Sequence, residues 1–179
     1  PVNDYKNYRA SVPGGSHAAK VYMIDELTDQ FAFGIKRHPG AIRNFIKYTY
    51  DNYTVRPKFV FLLGKGVNYQ ANRLNEAGSI ATQTNLDNLN LVPTFGAPAS
   101  DNLMACFNND NNPIVPVGRL SAIYGSEVEV YLQKVKDYEL AQAFQSCQII
   151  DKAWMKNIVH VVGADNGALQ NILNTMMDN

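Results

Sequence analysis

Few residues in this 179-residue chain combine type and spacing in a way that could do chemistry. Gly64-Lys65-Gly66 follows an apolar run and resembles the start of a phosphate cradle. A phosphate loop, however, needs four residues between its first glycine and the Gly-Lys pair, then Ser or Thr. That spacing is absent, so the glycines are expected to serve a strand-to-loop turn. Gly163-Ala164-Asp165-Asn166-Gly167 likewise lacks the three-glycine fingerprint of a dinucleotide site. Asp101, between Ser100 and Asn102 in a loop flanked by Pro and Gly, offers oxygens that could order the loop as an Asx-turn or hold a hard cation such as calcium. Arg119 follows Gly118 at a strand end, where its two-pronged guanidinium could take a carboxylate; Asp101, Asp25 and Glu26 are the candidates. Such a pair would order the strand-end loops.

A cysteine–histidine hydrolase needs a thiolate within hydrogen-bond reach of an imidazole. Cys106 lies between Ala105 and Phe107, Cys147 in a polar connection, and neither has the setting of a nucleophile. His160 sits inside an apolar run and reads as a hydrogen-bonded core histidine. His38 belongs to a helix entry, and His17 to a polar N-terminal segment.

The elements that must position these groups follow from pattern. Residues 1–17 are polar, contain Pro13-Gly14-Gly15, and read as an entry segment or linker before a domain spanning 18–179. Ala18 to Ile24 is β-prone and is expected to be a strand. From Pro39, the positions Ile42, Phe45, Ile46, Thr49 and Tyr53 recur at helical spacing. Phe59 to Leu63 is an unbroken apolar run, as in a central parallel strand covered on both faces. Residues 65–90 show no sustained period and read as a long loop with one irregular helical turn. Ile114 to Val117 reads as a short strand, with Pro116 favouring an edge or an end. Ser126 and Glu129 have capping-box spacing ahead of the stripe Val128, Tyr131, Leu132, Val135 and Tyr138. Asn157 to Gly163 reads as another buried strand, and Ala168 to Met176 as a helix. Strands alternating with helices imply a three-layer α/β fold: a parallel sheet with helices on both faces, Rossmann-like or like half of a caspase domain.

Composition removes several classes of function. Lys plus Arg equals Asp plus Glu at 16 each, so no net field argues for nucleic acid. No run reaches the roughly 18 apolar residues of a membrane span, and the N-terminus lacks the order of a signal peptide. The chain starts without Met, which suggests a processed product or an excised piece. Two cysteines do not define a redox compartment.

Taken in order, DELTDQFAFGIKRHPGAIRNFIKY, FVFLLGKG, VPTFGAPASDN, PIVPVGRLSA, EVEVYLQKVKDYE and WMKNIVHVVG resemble the gingipain-type cysteine peptidases, including the sortase-like members tied to type IX secretion. The resemblance covers roughly Val21 to Gly163. It implies a caspase-like α/β domain of two side-by-side subdomains, of which the matched motifs form the first. The catalytic dyad, a histidine in a His-Gly pair and a later cysteine, belongs to the second. None of the three histidines here precedes glycine, and neither cysteine matches the nucleophile, so no catalytic residue carries over.

Two departures limit the comparison. Lys65 stands where family members commonly carry an acidic residue. Gln170 lies near the position where an acidic residue shapes the pocket of the arginine-specific members, so a trypsin-like preference has no support.

The resemblance implies the non-catalytic first half of a cysteine endopeptidase, extracellular or at the outer-membrane surface. Its partners would be a C-terminal catalytic subdomain of the same parent and a polypeptide substrate. No cofactor is implied, and calcium at Asp101 is the single metal candidate. The alternatives are a self-contained flavodoxin-like or receiver-like binding module, for which Asp25 near a strand end speaks, and a scaffold domain in type IX secretion without the dyad.

Overall fold

Val60–Leu63 forms strand β1 and Val117–Leu120 forms β2. The two pair in parallel, with Val60 opposite Val117 and Leu63 opposite Leu120. The computed structural model describes residues 1–68, 86, 88–96, 98–143, 146, 148–159 and 166–177, and among these the sheet has two strands. The fold is α/β, a small parallel sheet with helices. The chain divides into two compact units, Pro1–Asp137 and Tyr138–Asn179.

In the first unit, helix α1 spans Val2–Ala10, α2 spans Ile24–Phe31, and α3 spans Gly40–Asn52. Helix α4, Gly125–Ala143, begins in this unit. Pro39, with φ of −65°, is already shaped for the first turn of α3, as expected from its type. Ile42 and Ile46 of α3 pack with Leu62 of β1, Met104, Ala105 and Val115 to form the main core. Successive strand residues face opposite ways, so Phe61 turns from that core. Its ring meets Tyr5 of α1 at 5.2 Å and Tyr131 of α4 at 5.8 Å.

Four expectations are corrected here. Residues 1–17 are not a bare linker: α1 occupies Val2–Ala10, held by the stack of Tyr5 on Phe61 and Tyr131. This helix has no buried residue and therefore no apolar stripe to read. The run Ala18 to Ile24 is not a strand; residues 18–23 lie in no element, and Ile24 opens α2. Asp25 and Glu26 occupy its first turn, where negative charge suits the helix dipole. The strand expected at Ile114 to Val117 begins only at Val117. Pro116 supplies a carbonyl to Val60 N at 2.9 Å, while Ile114 N donates to Ala105 O, and Cys106 and Pro113 form an antiparallel bridge. Finally, Glu127, not Glu129, caps α4, as its Oε2 accepts from Ile123 N at 2.6 Å and Tyr124 N at 2.9 Å.

The intervening turn is built by asparagine. Asn108 and Asn109 hold φ of 58° and 57°, and Asp110 N closes on Phe107 O at 3.1 Å. Left-handed backbone at both central positions is what a type I′ turn requires and what Asn tolerates.

The second unit contains a 3-10 helix, Ile150–Lys156, and helix α5, Gly167–Met177, whose start is capped by Asn166 Oδ1 accepting from Leu169 N at 2.9 Å. Trp154 meets Tyr138 edge-on at 6.3 Å. Of the strand expected at Asn157 to Gly163, residues 157–159 are exposed and in no strand, and 160–163 lie outside the described residues. Most of the expected 65–90 loop also lies outside them, although Asn90 N donates to Leu86 O as in a helical turn. No described helix is long and apolar enough to cross a membrane.

Candidate functional site at the strand ends

The C-terminal ends of β1 and β2 are where an open parallel sheet presents its loops. Gly64 closes β1 with φ of +145°, a region that side chains rarely enter. Its N donates to Leu120 O at 3.0 Å, and Lys65 N to Ala122 O at 2.9 Å, which extends the ladder past both strands. Lys65 O then accepts from Leu91 N and Val92 N at 2.9 and 3.0 Å. A Cβ on Gly66 would fall 2.6 Å from Val92 O, so glycine here permits the close approach of two backbones. The Gly64-Lys65-Gly66 segment is filled by protein, in keeping with a turn.

Arg119 stands on β2 opposite Leu62 and reaches into this layer. A guanidinium has five N–H donors. Nε donates to Asp101 Oδ2 and Nη2 to Asp101 Oδ1, both at 2.7 Å. Nη1 donates to Gly64 O at 2.7 Å and Val92 O at 2.8 Å, and Nη2 also reaches Pro93 O at 3.3 Å. One side chain thus ties the end of β1, the 92–93 loop and the Asp101 loop to β2. The Arg119 side chain is 9% exposed and that of Asp101 24%. At that burial the pair is water-poor, and each partner depends on the other for its charge to be tolerated.

Asp101 also opens the 3-10 helix Asn102–Ala105, its carbonyl accepting from Met104 N at 3.1 Å. Both carboxylate oxygens are committed to a cation already. Among the described residues no three His, Cys, Asp or Glu gather as metal ligands.

The other candidates lie apart. Asp25 and Glu26 are exposed on α2 and are not among the partners of Arg119. His38 Nδ1 accepts from Gly40 N at 3.0 Å, and His17 lies edge-on to Phe59 at 6.1 Å. Cys106 is buried, its thiol directed at the carbonyls of Asn102 and Asn111 at 3.1 and 3.2 Å. Cys147 and His160 lie outside the described residues. The hydrogen-bond partners of the Cys106 thiol are thus backbone carbonyls and not an imidazole.

Two contributors escaped the sequence reading. Asn90 is 1% exposed; its Oδ1 accepts from Val67 N at 3.3 Å and its carbonyl from Arg37 Nε at 3.1 Å. Its Nδ2 is buried without a hydrogen-bond partner among the described residues. Nothing in a run of Asn, Thr and Leu marks one amide as buried. Glu127 was visible only as an acid three residues after Tyr124. Its carboxyl is held below the ordinary range because the charged form accepts first from Tyr124 N and then from Ile123 N, with Lys65 adding a favourable charge against some desolvation.

No curated protein and no solved structure matches the chain. The profile of Peptidase family C25 matches residues 1–179, its whole length. The ordered motifs from Asp25 to Gly163 and this match agree: the chain belongs to peptidase family C25, the gingipain family.

Proposed function

We propose that this chain is the non-catalytic first subdomain of a gingipain-like cysteine endopeptidase. The observation that carries the reading is the whole-length family match in a chain where no histidine precedes glycine: His17 is followed by Ala18, His38 by Pro39, and His160 by Val161. The Cys–His dyad belongs to a second subdomain that follows this one. There the cysteine thiolate attacks the scissile carbonyl and the histidine protonates the leaving amine. The subdomain described here supplies scaffold and rim. Asp101 and Arg119 act as the ordering pair of the strand-end loops, and Asp25 has no comparable contact to support such a role.

The β1–β2 ribbon, with α3 against Leu62 and Tyr5 and Tyr131 against Phe61, supports a three-layer, caspase-like half domain as the full arrangement. Family membership supports a parent that is secreted or attached to the outer surface, and type IX secretion is the route we infer from the motif resemblance.

The codons that follow in the source gene test this reading. A His-Gly pair followed tens of residues later by a strand-end Cys is expected; a continuation lacking both leaves a binding or scaffold module and ends the peptidase assignment.

A further inference from the structure

Asn166 and Gly167 are the one Asn-Gly pair in the 179 residues. An asparagine carboxamide can be attacked by the backbone nitrogen of the residue after it. Glycine, without a Cβ, neither shields that nitrogen nor restricts the rotation the attack requires. Every other asparagine that the sequence continues beyond is followed by a residue with a side chain. The structure leaves this pair open. Asn166 is exposed, a Cβ on Gly167 would meet nothing within 4 Å, and helix α5, which Gly167 begins, has no buried residue. Asn166 Oδ1 accepts from Leu169 N at 2.9 Å, which folds the carboxamide over the backbone that follows it. Gly167 N is among the first N–H groups of the helix, which have no partner within it, so its use as a nucleophile breaks no bond of the helical ladder. Ring closure needs the first turn to loosen. An 11-residue helix without a buried face offers little resistance, because helices of that length are marginal alone and their ends open at almost no cost.

We propose that Asn166 is a site of spontaneous deamidation, which changes the charge at the start of α5. Gly167 N gives its proton to a base in the solvent and bonds to Asn166 Cγ; the Cγ–Nδ2 bond breaks, the nitrogen leaves as ammonia, and a cyclic imide closes. Water then opens the ring. Cleavage of the new Cγ–N bond gives aspartate, and cleavage of the original bond between the Asn166 backbone carbonyl and Gly167 N gives isoaspartate. Either route consumes one water and releases one ammonia, with no oxidant or cofactor. Each product carries a carboxylate where the chain had a neutral amide, which lowers the formal net charge of +0 by one. The two products act oppositely on α5. Aspartate keeps the cap and adds a full charge at the positive end of the helix dipole. Isoaspartate lengthens the main chain by one carbon between residues 166 and 167 and displaces the acceptor of Leu169 N. The state of α5 thereby records the age of the molecule.

The test ages the full chain at mildly alkaline pH and maps it by mass spectrometry. Residues 157–179 contain no Lys or Arg and follow Lys156, so trypsin releases them as one peptide. Its fragment ions should show NH replaced by O at position 166 well ahead of Asn157, Asn171, Asn174 and Asn179. Isoaspartate is told from aspartate by its resistance to an aspartate-specific endopeptidase. Conversion should slow in mild acid, where the backbone nitrogen keeps its proton, and in the folded chain it should run within about tenfold of the rate in guanidinium chloride. Gly167→Ala meets no neighbouring atom and suits a helix, so it should bring position 166 down to the level of the other asparagines with the circular dichroism unchanged. Conversion at position 166 no faster than at the other asparagines would overturn the proposal. So would a folded rate more than about tenfold below the denatured one, or a Gly167→Ala chain that converts as fast as the wild type.

Discussion

Arg119 and Asp101 form a two-pronged ion pair across 18 residues of sequence, with Nε to Oδ2 and Nη2 to Oδ1 both at 2.7 Å. The remaining three N–H donors of Arg119 go to the carbonyls of Gly64, Val92 and Pro93. The arrangement is asymmetric: Asp101 uses its carboxylate on one partner, while Arg119 serves four residues.

That asymmetry predicts unequal mutants. Arg119→Ala leaves three carbonyls and a partly buried carboxylate unpaired and should cost about 3–5 kcal/mol. Asp101→Ala leaves the guanidinium its carbonyl partners and should cost about 1.5–3 kcal/mol. Arg119→Lys should fall near the alanine variant, because a single ammonium cannot span four residues. Urea denaturation of the three variants checks the order; equal losses from Arg119→Ala and Asp101→Ala would contradict it.

The turn after β1 should be intolerant of a methyl group for steric reasons alone. On Gly66 a Cβ would meet Val92 O at 2.6 Å, and on Gly64 it would meet Val92 Cγ2 at 2.7 Å in a backbone region unsuited to alanine. Each Gly→Ala change should cost about 1–3 kcal/mol. Added pyrophosphate should leave the melting temperature of the wild-type chain unchanged; a concentration-dependent rise would restore a phosphate role for Gly64 to Gly66.

Glu127 gives a dependence on acid. Its carboxyl is lowered from the ordinary 4.5, chiefly by the backbone N–H of Tyr124 and then that of Ile123. A depressed carboxylate contributes stability that is present above the unfolded pKa and lost as pH falls through the folded one. Glu127→Gln should therefore lower the melting temperature at neutral pH, and the gap should close as pH falls below 4.5. A gap that stays constant into acid would show that the cap is not acting through its charge.

At the alkaline end, Tyr22 is raised from 10.0 to about 12, first by burial, then by its hydrogen bond to Tyr53 and the charge on that ring. The hydroxyls are 3.2 Å apart. A raised folded pKa gives stability that is full below pH 10 and lost as pH rises toward 12. Tyr53→Phe should bring the Tyr22 midpoint down without returning it to 10.0, because burial is the largest cause. Ultraviolet absorbance titration of both proteins measures this; an unmoved midpoint would deny the coupling.

The parts of the fold legible from sequence are those where burial imposes a pattern. Of the run Phe59 to Leu63, Val60–Leu63 forms the strand and Phe59 stands exposed before it; the strand is legible because Leu62 enters the core while Phe61 is covered by aromatic rings on the other side. Helix α3 reads from Ile42 and Ile46 for the same reason. Helix α1 is hidden because its ring contacts, Tyr5 with Phe61 and Tyr131 and Lys136 over Tyr8, are with partners distant in sequence. The choice of Asp101 over Asp25 or Glu26 is likewise tertiary. Register with β1 places Arg119 over Leu62, and the 3-10 helix that Asp101 opens brings its carboxylate there, while Asp25 serves the first turn of α2. Asn90 left no trace, since one buried amide among several polar residues has no periodic signature.

The most direct test of the central claim compares peptide hydrolysis by this chain with that by the parent polypeptide extended through the next subdomain, each before and after thiol alkylation. The account predicts no cleavage by this chain and alkylation-sensitive cleavage by the parent. Thiol-dependent hydrolysis by the 179 residues alone would contradict it, because the nucleophile would then have to be Cys106 or Cys147.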